Sequence, residues 1–132
     1  MNNLSRRSAI ALVFATACAV HANSIANDLV WDDTYVVLAN PDIERLGNIP
    51  SFFTAAWGAG TTHERGRAKN AGFYRPLALA SIALDYAVFG NRPWGYHLTN
   101  VLIHAGLAVL VLLLAWRLAL PPAAALVGAL LY

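Results

Sequence analysis

The chain is 132 residues long, 58% hydrophobic and only 12% charged, with a formal net charge of +2 and a mean hydropathy of +0.52. Soluble domains average about 25% charged residues, so half that fraction argues against an ordinary soluble core and for lipid. The small charge, without a run of Lys or Arg, gives no argument for a nucleic-acid partner, and the single cysteine, Cys18, excludes an internal disulfide and a Cys-based zinc cluster.

The first hydrophobic stretch runs from Ser8 to Ala26, densest over Ala9–Val20, and Arg6 and Arg7 precede it. Three readings compete. A cleaved signal peptide fits the short apolar core, the two arginines and the small residues around Ala17 and Ala19. A lipoprotein signal at Cys18 fits poorly, because the residues before it, "FATA", do not match that pattern. The third reading is an uncleaved transmembrane helix extended through His21 to Ile25. On this stretch alone the signal peptide is favoured.

Past that stretch comes "LVWDDTYVVLANP", which places two adjacent carboxylates, Asp32 and Asp33, directly after Val30 and Trp31. An arbitrary pair of this kind serves as a helix cap or a solvated turn. Its position beside a candidate membrane exit suggests chemistry instead. Neighbouring carboxylates can split their pKa values, so that one acts as a base while the other binds a cation or a hydroxyl. A divalent metal at Asp32 and Asp33 is compatible with the pair.

Asn40-Pro41-Asp42 reads as a turn and helix start. Ile49–Gly58, "IPSFFTAAWG", predicts a short helix opened by Pro50, interfacial or packed, and residues 58–72 read as a polar loop. "YRPLALASIALDYAVFG" predicts a helix with Pro76 in its first turn and Gly90 ending it, too short to span and therefore at the outer interface. Arg75 at its start could hold a phosphate or snorkel to headgroups. Asp85, in an otherwise apolar helix, calls for a partner such as Arg75 or Arg92.

Leu98–Ala119 is the clearest element. A helix of that length covers roughly 30 Å, enough to cross the hydrocarbon. Trp94 and Tyr96 mark one interface, and Trp116 with Arg117 the other. His97, Asn100 and His104 share one face of it; hydrogen bonding between helices accounts for them without a metal. Pro121 and Pro122 end the span, and Ala123–Tyr132 begins a third apolar run of about 15 Å, half a bilayer. The chain is expected to be a fragment cut inside that helix.

Charge then orients the chain. The two end segments, 1–26 and 101–132, carry Arg6, Arg7 and Arg117 without an acid, a charge of +3, whereas 27–100 carries −1. The positive-inside rule puts the ends in the cytoplasm and the middle outside. The expected organisation is a cytoplasmic N-terminus and first span at 1–26, an outer loop at 27–96, a second span at 97–120 and a truncated third at 121–132. The fold class is an all-α membrane protein: two complete transmembrane helices, roughly Ser8–Ile25 and Leu98–Ala119, plus a truncated third, with short interfacial helices in the outer loop.

Taken in order, "VWDDTYVVLANP", "FYRPLALASIALDYAVFG" and "RPWGYHLTNVLIHAGLAVLVLLL" resemble the N-terminal part of the polytopic transmembrane and tetratricopeptide-repeat glycosyltransferases, which are similar to protein O-mannosyltransferases of the glycosyltransferase C type. The likeness covers about Leu29 to Leu114 and favours an uncleaved first helix. It implies a sugar carried on a polyprenyl phosphate and delivered to a protein or glycan acceptor; the expected location is a bacterial inner membrane with the Asn27–Trp94 loop on its outer side. It also implies that Asp32 and Asp33 form the acidic motif, one acting as base or orienting the acceptor, and that Arg75 and His97 belong to substrate-binding blocks. The further spans, the repeats and a second acidic or histidine-bearing loop are expected beyond these residues, so this stretch by itself is expected to be inactive. A non-catalytic membrane protein using its outer loop as an assembly surface is the alternative; it would leave the acidic pair solvated rather than in a pocket.

Overall fold

A computed structural model of the chain describes residues 5–54 and 74–132. The predicted polar loop and the end of the predicted Ile49–Gly58 helix lie outside the described residues. Those residues are helical, without a strand among them: α1 (Arg6–His21), α2 (Ile49–Phe52), α3 (Pro76–Phe89), α4 (Pro93–Arg117) and α5 (Pro122–Leu131), with shorter turns between. The chain divides into two compact units, 1–26 with 97–132, and 27–96, the division falling inside α4 between Tyr96 and His97.

In the first unit, Ser5 caps α1 by accepting a 3.1 Å hydrogen bond from the Ser8 N–H, and a 3-10 turn, Ala22–Ala26, continues α1 beyond His21. The 21 residues of Arg6–Ala26 and the 25 of Pro93–Arg117 are both long and apolar enough to cross a bilayer. Only 11% and 28% of their apolar windows are buried within the protein, so their faces are not those of a soluble core. Exposed leucine-rich faces of this extent suit contact with lipid or with further apolar helices. The core is a stripe of mostly small side chains: Ala9 and Val13 from α1, Ala108, Leu112 and Ala115 from α4, and Ala125 and Ala129 from α5. Spacings of three and four put each set on one helix face.

The expected second span was Leu98–Ala119; α4 begins five residues earlier, at Pro93. Pro93 needs no N–H at a first helical position, so "RPWGY" is helix start rather than turn. The end of α4 is a Schellman motif on a non-glycine residue: Ala119 sits at φ 56°, its N–H donates to Trp116 O at 3.1 Å, and Leu120 N–H donates to Ala115 O at 3.1 Å.

In the second unit, a π-helical turn, Thr34–Leu38, and two 3-10 turns, Pro41–Glu44 and Leu46–Asn48, lead into α2. Val36, Val37, Ile43, Phe52, Leu79, Ala83 and Tyr96 form its core. Asn40 starts the Pro41 turn by accepting from Asp42 N–H at 3.1 Å, and Asn48 Nδ2 donates to Asp42 O at 3.0 Å. The Tyr74 hydroxyl donates to Phe53 O at 2.7 Å, fixing the entry to α3 beside the end of α2. Gly90, at φ 59°, ends α3, and Gly95 is required because any Cβ there would enter the Phe89 ring.

Candidate functional site

The acidic pair stands at the edge of the second unit, and its two members are not equivalent. Trp31 precedes them at φ 52°, a conformation that a bulky side chain adopts only under constraint. Two hydrogen bonds supply the constraint: Thr34 Oγ1 donates to Trp31 O at 2.6 Å, and the Val30 N–H donates to Asp33 Oδ2 at 3.3 Å. Tyr35 and Val36 N–H groups then donate to the Asp32 carbonyl at 3.0 and 2.9 Å, starting the turn whose Val36 and Val37 enter the core. Asp33, half-buried, is thus a turn-closing residue. The Asp32 carboxylate is exposed and makes no hydrogen bond to the described residues, while the Trp31 ring beside it is 87% exposed.

Arg75 lies in the same unit, at the residue before α3. Its side chain does not cap that helix, although its carbonyl accepts the Leu79 N–H at 3.2 Å. The turn that follows the aspartates and the helix that follows Arg75 bury Val36, Val37, Leu79 and Ala83 in one cluster, so one core supports both candidate residues. Asp85 on α3 is buried and engaged with another group. Tyr86 is held above its ordinary pKa of 10.0, first by desolvation and then by the negative charge of the Glu44 carboxylate.

His97 belongs to the first unit. It is half-buried, and its Nε2 is enclosed without a hydrogen-bond partner among the described residues. Asn100, on the same helix, is exposed. His104 is used differently from either: its ring meets His21 edge-on at 4.5 Å and stacks on Tyr132 at 5.1 Å. Asn40 is the polar residue whose burial the sequence does not advertise. It is 2% exposed, with Nδ2 unpartnered among the described residues; its place before Pro41-Asp42 signals the cap but not the burial. Among the described residues no group of three or more His, Cys, Asp or Glu could hold a metal. Asp32 and Asp33 therefore offer a cation two adjacent carboxylates, one of them already committed to Val30.

Known proteins similar to this chain form a consistent set. Over 94 residues, 69% of the chain and 10% of the relative, it is 37% identical to Protein O-mannosyl-transferase TMTC2 of Mus musculus and to that of Homo sapiens. Over 103 residues, 75% of the chain and 10% of the relative, it is 34% identical to Protein O-mannosyl-transferase Tmtc2 of Drosophila melanogaster. A longer match, 124 residues or 93% of the chain, is 29% identical to Protein O-mannosyl-transferase TMTC3 of Mus musculus and covers 13% of it. The chain thus spans about a tenth of the length of these relatives. No family model matches it, and no solved structure is similar to it.

Proposed function

This chain belongs, over the stretch it shares with them, to the family of the TMTC protein O-mannosyl-transferases, and from that premise we propose that it forms part of a membrane glycosyltransferase. The donor is a sugar on a polyprenyl phosphate, and the acceptor is a hydroxyl presented on the outer membrane face. The names of the relatives make a mannosyl group and a protein hydroxyl the first pair to test.

In this reading Asp32 is the base. Its carboxylate takes the proton of the acceptor hydroxyl as that oxygen attacks the anomeric carbon. The new glycosidic C–O bond forms while the bond from the anomeric carbon to the phosphate oxygen breaks, and the electron pair leaves with the lipid phosphate. The configuration inverts. Arg75 is assigned to the departing phosphate, where a guanidinium offsets growing negative charge, and His97 to substrate binding. The observation that carries the reading is the asymmetry of the pair. Asp33 is tied to the Val30 N–H, while Asp32 points an uncommitted carboxylate from a constrained turn, as a group that must receive a proton requires.

The test compares Asp32→Asn with Asp33→Asn in membranes expressing the full-length enzyme that carries this stretch, with a mannosyl polyprenyl phosphate and a peptide acceptor. Asp32→Asn is expected to lower turnover about 10²- to 10⁴-fold with the melting temperature unchanged. Asp33→Asn is expected to cost roughly 0.5–1.5 kcal/mol of stability, the worth of one turn-closing hydrogen bond, with a smaller loss of activity. An Asp32→Asn protein that transfers sugar at the original rate removes the catalytic assignment of Asp32.

A further inference from the structure

The arginine end of the first unit carries a feature that sugar transfer does not use. Arg7, Ile10, Ala11 and Phe14 of α1, with Gly106 and Val109 of α4, line an open groove of about 520 Å³. Apart from Arg7 its walls are apolar. From Arg7 to Phe14 it runs about 10 Å along the helix axis, the distance from headgroup depth into the hydrocarbon. Charge sharpens the picture. Segments 1–26 and 97–132 contain Arg6, Arg7 and Arg117 and no Asp or Glu, so no acidic side chain of this unit can neutralise them. Arg6 is turned over the Trp116 ring at 5.5 Å, which brings the start of α1 beside the end of α4 and gathers the three arginines at one end. Arg7 is exposed at the groove.

We propose that this groove is a binding site for one anionic phospholipid, its phosphate held by Arg7 and one acyl chain laid along Ile10, Phe14, Gly106 and Val109. A guanidinium matches a phosphate by charge and by its fork of donors. Anionic lipid is the one abundant partner that supplies both a negative head and an apolar tail at this depth. Gly106 keeps the groove open: a Cβ built there meets nothing within 4 Å, so a larger side chain would fill the space without disturbing the backbone.

The experiment uses the protein in lipid nanodiscs containing a phosphatidylglycerol or a phosphatidylcholine probe, each with a diazirine in its acyl chain. After illumination, labelling is read on the peptides holding Phe14 and Val109. Phosphatidylglycerol is expected to label them about fivefold more than phosphatidylcholine, the preference that one arginine near an anionic lipid gives. Arg7→Gln should erase that preference, and Gly106→Leu should lower labelling by both probes, while circular dichroism stays unchanged in both variants. Equal labelling by the two lipids in the unaltered protein would mean ordinary annular lipid and overturn the proposal. Labelling by neither would overturn it too, because a protein segment would then cover the groove. Full preference surviving Arg7→Gln would remove the arginine from the site.

Discussion

The two units solve packing in opposite ways. Segments 1–26 and 97–132 close on alanines, with Val13 and Leu112 as the larger side chains of the buried stripe. Segment 27–96 closes on Ile43, Phe52, Leu79 and Tyr96, held between short turns. The difference is the one that the solvents expected for each would select. Between helices in lipid, burying an apolar side chain gains little over leaving it in hydrocarbon, so attraction comes from close backbone approach and small residues permit it. A segment in contact with water gains from area removed, and large side chains supply the most. The expected outer loop is accordingly a compact folded unit with a core of its own, which is what an acidic turn needs to hold its geometry.

The comparison breaks most visibly by truncation in the second unit. Ile43 is 1% exposed, and Ile43→Ala should cost about 2–5 kcal/mol, lost transfer energy plus a cavity. Hydrogen exchange on α3 in detergent would report it as lost protection; a cost under about 1 kcal/mol would deny that unit a water-type core. The first unit should instead be broken by enlargement. Ala108 is 2% exposed, and Ala108→Leu should cost roughly 1–3 kcal/mol by forcing α4 from its neighbours. Leu110→Ala, on an exposed position, is the lipid-facing control. Thermal unfolding in one detergent that ranks the control as the worse change would refute small-residue packing.

Two smaller effects sharpen the contrast. Ala119 takes a left-handed conformation at the end of α4 that glycine adopts freely, so Ala119→Gly should stabilise the first unit by about 1 kcal/mol. An unchanged or lowered melting temperature would contradict the Schellman cap. In the second unit the raised pKa of Tyr86 makes a smaller, pH-dependent contribution. A raised value in the folded state means that stability is fully present below pH 10.0 and is lost as the pH climbs through the folded value. Tyrosinate absorbance should show this late titration. Because desolvation is the larger cause, Glu44→Gln should bring the midpoint only part of the way back to the ordinary value.

The long helices, and the two ends of α3, were legible in the residues because their signals are local. Pro76 and Gly90 mark α3 by what they do to their own φ angles, and the run from Leu98 onward marks α4 by hydropathy alone. The likeness to the O-mannosyl-transferases was legible as well, in the order of three short blocks around Asp32, Arg75 and His97. What those residues do in space was not. Two adjacent aspartates look alike in a sequence; only the turn, with Thr34 closing onto Trp31 and Val30 donating to Asp33, decides that one is committed and the other exposed. The apolar run reads as a span from Leu98, and only the folded chain shows the helix starting at Pro93. Likewise Asn40 reads as a surface cap until the folded second unit encloses it, and Arg7 as a topology signal until α1 and α4 leave a groove at its side. Propensity, hydropathy and charge bias are properties of neighbouring residues along the chain. Burial, a missing hydrogen-bond partner or a groove depends on residues far apart in sequence, and the tertiary structure alone sets those distances.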